Sequence, residues 1–114
     1  MFSMKDNFKE RDLVEKIAET TMTEIEKEAE FFCVRSSIPI QWVWWNVIYK
    51  GKYHWHVDFS WERDMLYVFT KLTKYNSTHS DCKYFEIANP KMFENISQFI
   101  IEYIINNSKG EPWH

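Results

Sequence analysis

Residues Tyr53 to Trp61 read Tyr-His-Trp-His-Val-Asp-Phe-Ser-Trp, a strict alternation of large apolar and polar side chains. Successive side chains of a β-strand point to opposite faces, so the stretch specifies a half-buried strand. Tyr53, Trp55, Val57, Phe59 and Trp61 form its core row, and His54, His56, Asp58, Ser60 and Glu62 form the other. The rest of the chain must supply a layer that covers the aromatic row.

The stretch before it is apolar on both faces. Trp42, Val43, Trp44 and Trp45 give no alternation, so their orientation depends on the Lys50-Gly51-Lys52 connection. A two-residue loop sends Trp42, Trp44 and Ile48 to the core and leaves Trp45 beside His54 and His56. A three-residue loop with Gly51 left-handed sends Val43, Trp45, Val47 and Tyr49 inward and turns Trp42 and Trp44 outward. The second form fits better, because a two-residue type I′ turn prefers Asn or Asp before the glycine. In both forms at least one tryptophan lies beside the histidines, away from the core row.

Four strands are predicted, at 40–49, 53–61, 65–72 and 83–88, each rich in β-branched and aromatic residues. Residues 50–52 and 62–64 make the first two turns, and the polar run 76–81 makes a surface loop. Ahead of them, Leu13, Val14, Ile17, Ala18, Met22 and Ile25 recur at three- and four-residue spacing, opposite a charged face. This predicts an amphipathic helix capped by Asp6 or Asn7 and reaching Phe32, about 40 Å long, with a bend at Thr20, Thr21 and Thr23. Arg35 to Pro39 reads as a connector. Asn89-Pro90 starts a second helix, with Asn89 as its cap and Pro90 at its first position, and Gly110 stops it. The predicted fold is α+β: an antiparallel four-stranded meander sheet flanked by an N-terminal and a C-terminal helix (α-β-β-β-β-α), one domain over residues 1–114.

Composition agrees with a single core. The chain is 14.0 kDa, 45% hydrophobic and 18% aromatic, with a net charge of -3. Its basic residues are scattered, which argues against a nucleic-acid surface, since that needs a basic stripe. Met1 to Asp12 lacks the apolar run of a signal peptide, and no later stretch approaches the roughly 18 apolar residues of a membrane span. The expectation is a cytoplasmic domain without a membrane segment. Cys33 and Cys82 are far apart, form no CxxC pair and are expected to be reduced thiols.

His54-x-His56-x-Asp58 sets three potential metal ligands on one strand face, but a site needs a further ligand from elsewhere, such as His79 or Glu86. Hydrolysis would use a histidine with Ser60 or Cys82 as nucleophile, yet the chain has no nucleophile elbow, glycine-rich loop or phosphate-binding motif. No metal, cofactor or catalytic residue is therefore expected, and the reading leans against an enzyme. The candidate binding residues are Trp42, Trp44, Trp45, His54, His56 and Asp58. Two accounts of their face stand open: a second helix covers it, one helix packing on each side of the sheet, or it is a binding surface.

Size, acidity, aromatic content and element order are similar to those of bacterial immunity proteins and antitoxins that neutralise a cognate toxin. The similarity implies a small inhibitor whose aromatic and acidic surface occludes a protein partner such as a basic toxin or nuclease. It assigns no residue; read from the residues alone, Asp58 and Glu62 with Asp64 make a small acidic patch at one end of the second strand. The alternative is a small-ligand or metal-binding domain that uses the aromatic sheet face with His54 and His56.

Overall fold

The computed structural model describes residues 4–36, 43–72 and 80–109. The elements run α1 (Met4–Ile25), β1 (Phe31–Arg35), β2 (Val43–Tyr49), β3 (Tyr53–Glu62), β4 (Met65–Leu72), β5 (Ser80–Glu86) and α2 (Met92–Asn107). The strands form one antiparallel sheet in the order β1-β2-β3-β4-β5. The class is α+β as predicted, but the sheet has five strands rather than four.

The extra strand comes from residues predicted to end the first helix and begin a connector. The helix stops at Ile25 instead of Phe32, beyond the expected break at the threonines, and Glu30 takes a left-handed conformation at φ 75. The sequence Phe31-Phe32-Cys33-Val34 then pairs with β2, Cys33 opposite Val47. Aromatic and β-branched side chains suit a pleated strand better than a helix. At the other end β5 begins at Ser80, ahead of the predicted start. The helix α2 begins two residues after Pro90. Asn89 still satisfies a donor, its Oδ1 accepting from the Lys91 N–H at 2.8 Å, but from a turn ahead of the helix. Gly110, the predicted stop, lies outside the described residues.

The first turn has three residues. Tyr49 pairs with Tyr53, and Gly51 sits at φ 70 with Lys50 also left-handed at φ 56. That register sends Val43, Val47 and Tyr49 into the core with Tyr53, Trp55, Val57 and Phe59. Both helices cover this same side. Buried Val14, Ile17, Ala18, Met22 and Ile25 of α1 and Met92, Ile96, Ile100 and Ile104 of α2 join the sheet residues in one core.

Two polar contacts fasten the layers. Glu15 on α1 takes a bidentate ion pair from Arg35, Nε to Oε1 at 2.5 Å and Nη2 to Oε2 at 2.7 Å. The same guanidinium donates to the carbonyl of Trp44 at 3.0 Å, tying α1 to both β1 and β2. At the end of α2, the fully buried Trp55 donates its indole N–H to Ser108 Oγ at 2.9 Å and meets Tyr103 edge-on at 5.5 Å. A buried Trp needs such a partner for its one donor.

Nothing lies within 4 Å of where a Cβ would stand on Gly51, so only its backbone conformation requires glycine. Gly51→Ala should lower stability by about 1 kcal/mol through that conformation alone. Urea unfolding measures the loss, and an unchanged midpoint would contradict the left-handed turn.

Candidate functional site

With both helices on one side, the opposite face of the sheet is uncovered by any described element. The register fixes its membership. Trp44 stands opposite Asp58, Asn46 opposite His56 and Ile48 opposite His54. Across β4, Phe69 adjoins Asp58, Lys71 adjoins His56 and Tyr67 adjoins Ser60. Cys82 and Tyr84 extend these rows on β5, and Phe32 and Val34 extend them on β1. Exposure alternates as an open face requires: Phe32 is 56% exposed beside Phe31 at 8%, and Tyr84 61% beside Phe85 at 6%.

The centre of the face is an aromatic stack. The Trp44 indole lies on the His56 imidazole with ring centroids 4.3 Å apart and planes 25° apart. Further along, Tyr67 and Tyr84 meet edge to face at 4.8 Å. Partial burial lowers the His56 pKa below its ordinary value; Asp58 opposes that shift and Lys71 adds to it. Burial raises the Asp58 pKa, against the pull of His56 and of a backbone hydrogen bond from Phe59. At neutral pH the stack therefore joins an indole to a neutral imidazole, with a poorly solvated carboxylate beside it.

Of the predicted residues, Trp44, His54, His56 and Asp58 share this face. Trp45 does not: the three-residue turn places it on the helix side, packed against the core, its indole N–H buried without a partner among the described residues. Trp42 and His79 lie outside the described residues. The face also recruits residues that the sequence pattern did not single out, Phe32, Val34, Tyr67, Phe69 and Tyr84. Alternation within the predicted strands could have found Tyr67, Phe69 and Tyr84. Phe32 and Val34 were hidden by their place at a predicted helix end and the connector after it.

His54, His56 and Asp58 keep their two-residue spacing along one strand face, and a metal site there would need a further ligand from the strands beside it. Here those strands offer Ile48, Asn46, Phe69 and the cationic Lys71. Among the described residues, no group of three or more His, Cys, Asp and Glu comes together to hold a metal. The thiols are not activated. Burial, helped by Glu26, pushes Cys33 up to about 12. Burial and then Asp81 and Asp58 raise Cys82. Nucleophilic and ligating cysteines need the opposite shift. The two thiols sit on the two edge strands and on opposite faces of the sheet, Cys33 buried and Cys82 exposed.

A cavity of about 590 Å³ lies elsewhere, between β5 and α2, and includes neither histidine. Among the described residues, no helix is long and apolar enough to cross a membrane. No family model, curated protein or solved structure matches this chain, so its function has to be read from the geometry of the open face and of the cavity.

The His56 shift has a measurable consequence. A lowered pKa means that the folded chain binds this proton less readily than the unfolded chain. The contribution is complete above about pH 6.5 and is lost as pH falls from there toward the folded value. Asp58 has the opposite sign at lower pH, where its raised pKa makes protonation favour the folded chain. His56→Gln should therefore reduce the decline of the urea midpoint below about pH 6.5; an unchanged slope would contradict the assigned environment.

Proposed function

We propose that the chain is a protein-binding domain of the inhibitor or immunity type, and that it occludes a partner with the helix-free face of its sheet. The observation that carries this reading is the uncovered sheet itself. One layer of helices closes the Trp55 side, while the Trp44–His56 stack, Tyr67, Phe69 and Tyr84 remain together on the other. Tryptophan and tyrosine on a rigid sheet supply large contact area at low entropic cost, the composition of interface hot spots.

The electrostatics favour a basic partner. Asp58 is partly desolvated at the middle of the face, so an incoming Lys or Arg would satisfy a carboxylate that water serves poorly. Glu62 and Glu86 stand in one row at the end of the same face. The neutral His56 adds no competing charge at pH 7. A small ligand held by His54 and His56 is the weaker reading, because neither histidine lines the cavity between β5 and α2.

Affinity capture from a lysate of the source cell, read by quantitative mass spectrometry, tests the proposal. The expected result is one stoichiometric basic protein. A Trp44→Ala/Asp58→Asn chain should bind it about thirtyfold more weakly, as roughly 2 kcal/mol at a hot spot implies, with the unfolding midpoint preserved. Wild-type retention by that folded variant would refute the assignment of this face.

A further inference from the structure

The strand β5 closes the sheet on one side, and its outer edge has no strand beside it among the described residues. One hydrogen bond fixes which of its backbone groups face outward. The Ile87 N–H donates to the Asp64 carbonyl at 2.9 Å, making that pair a hydrogen-bonded one. In an antiparallel ladder such pairs recur every second residue, so Phe85, Lys83 and Asp81 bond inward to β4. Cys82, Tyr84 and Glu86 aim their backbone groups away from the sheet.

Two of those outward groups are already satisfied. Asp81 Oδ1 accepts from the Cys82 N–H at 2.8 Å, and the Glu86 carbonyl accepts from the Asn89 N–H at 3.1 Å. The Cys82 carbonyl, both Tyr84 groups and the Glu86 N–H have no partner among the described residues. They form a short template centred on Tyr84, with the Asp81 side chain limiting it at one end.

The cavity between β5 and α2 lies along this edge. Phe85 and Phe99 contribute aromatic surface to it, and the Lys83 ammonium lies 5.8 Å and 5.7 Å from their ring centroids. Asp81 and Glu102 also line it, so carboxylates outnumber the lysine on the side facing α2. A strand added about 4.8 Å beyond β5 would run along this cavity and turn alternate side chains toward α2.

We propose that the groove between β5 and α2 is a second docking site, which takes an extended segment of a partner protein as a sixth strand, with Lys or Arg side chains in the row facing α2. Main-chain bonds to Tyr84 and Glu86 hold the segment, and Asp81 and Glu102 select its charge. The unpaired edge explains why the occupant is extended, and the acidic lining explains why it is basic. This site uses the backbone of Tyr84 and Glu86 and the side chains that face α2, whereas the helix-free face uses side chains on the other side of the sheet, those of Tyr84 and Glu86 among them.

Nuclear magnetic resonance titration of the labelled full chain tests the proposal, with two capped hexapeptides as probes, one of alternating Lys and Val and one of alternating Glu and Val. The Lys-Val peptide should shift the amide signals of Tyr84 and Glu86 and bind about tenfold more tightly, the ratio that roughly 1.4 kcal/mol of charge complementarity supplies. Glu102→Lys should erase the preference. Lys83→Ala should strengthen Lys-Val binding by removing a like charge and uncovering the rings. Tyr84→Pro deletes an outward donor without breaking the β4 ladder, so it should abolish binding with the fold retained. Equal affinity for the two peptides, shifts confined to β1 or to Trp44, His56 and Phe69, or full binding by folded Tyr84→Pro would each overturn the proposal. A dimer of the chain alone that Tyr84→Pro dissolves would overturn it too, by assigning the edge to a second copy. Should Tyr84→Pro fail to fold, the Glu102→Lys and Lys83→Ala arms decide.

Discussion

The left-handed turn at Lys50 and Gly51 is the constraint on which the rest of the arrangement depends. It fixes the parity of β2 against β3, and side chains alternate strictly along both strands. A loop one residue shorter would reverse every side chain of β2. Trp45 would then face outward, and Trp44 would compete with the core that Val43 and Val47 now fill. The stack of Trp44 on His56, the environment of Asp58 and the apolar packing of the other face all depend on this single register.

Given that register, the helices decide what stays open. The chain leaves α1 through a turn at Glu26 to Glu30, and the Glu15–Arg35 ion pair holds the helix to the β1 edge on the Trp45 side. The chain reaches α2 from the far edge, and the bond from Trp55 to Ser108 fastens the end of that helix to the same side. Both apolar stripes are spent on one core. An antiparallel sheet tolerates a wet second face, and such a face is ordinarily polar. Here it carries Trp44, Tyr67, Phe69, Tyr84, Phe32 and Val34, an apolar load on the side away from both helices.

Much of this was legible in the sequence, and the exceptions have physical causes. The alternation of Tyr53 to Trp61 identified β3 and its two rows, because period two is visible without tertiary information. The missing Asn or Asp before Gly51 pointed to the longer turn and to Trp44 rather than Trp45 as the outward residue. The fifth strand was not legible. Phe31 to Arg35 is short and comes after a helix whose spacing continues past its true end, and pairing with β2 outweighs that local signal. Placing both helices on one side was also beyond the sequence, since each apolar stripe fits either face of a sheet. The groove beside α2 needed three dimensions: Asp81, Lys83 and Phe85 meet Phe99 and Glu102 only through the packing of α2 along an edge strand.

The closure of one sheet face by helices, with the other left open, is tested most directly by solvent paramagnetic relaxation of the free chain in solution. A soluble paramagnetic agent should broaden the side-chain signals of Phe32, Val34 and Tyr84 strongly, while their chain neighbours Phe31, Cys33 and Phe85 stay sharp. That alternation along both edge strands is the predicted result. Equal protection of the two sets would mean that something covers the second face, and would contradict the account.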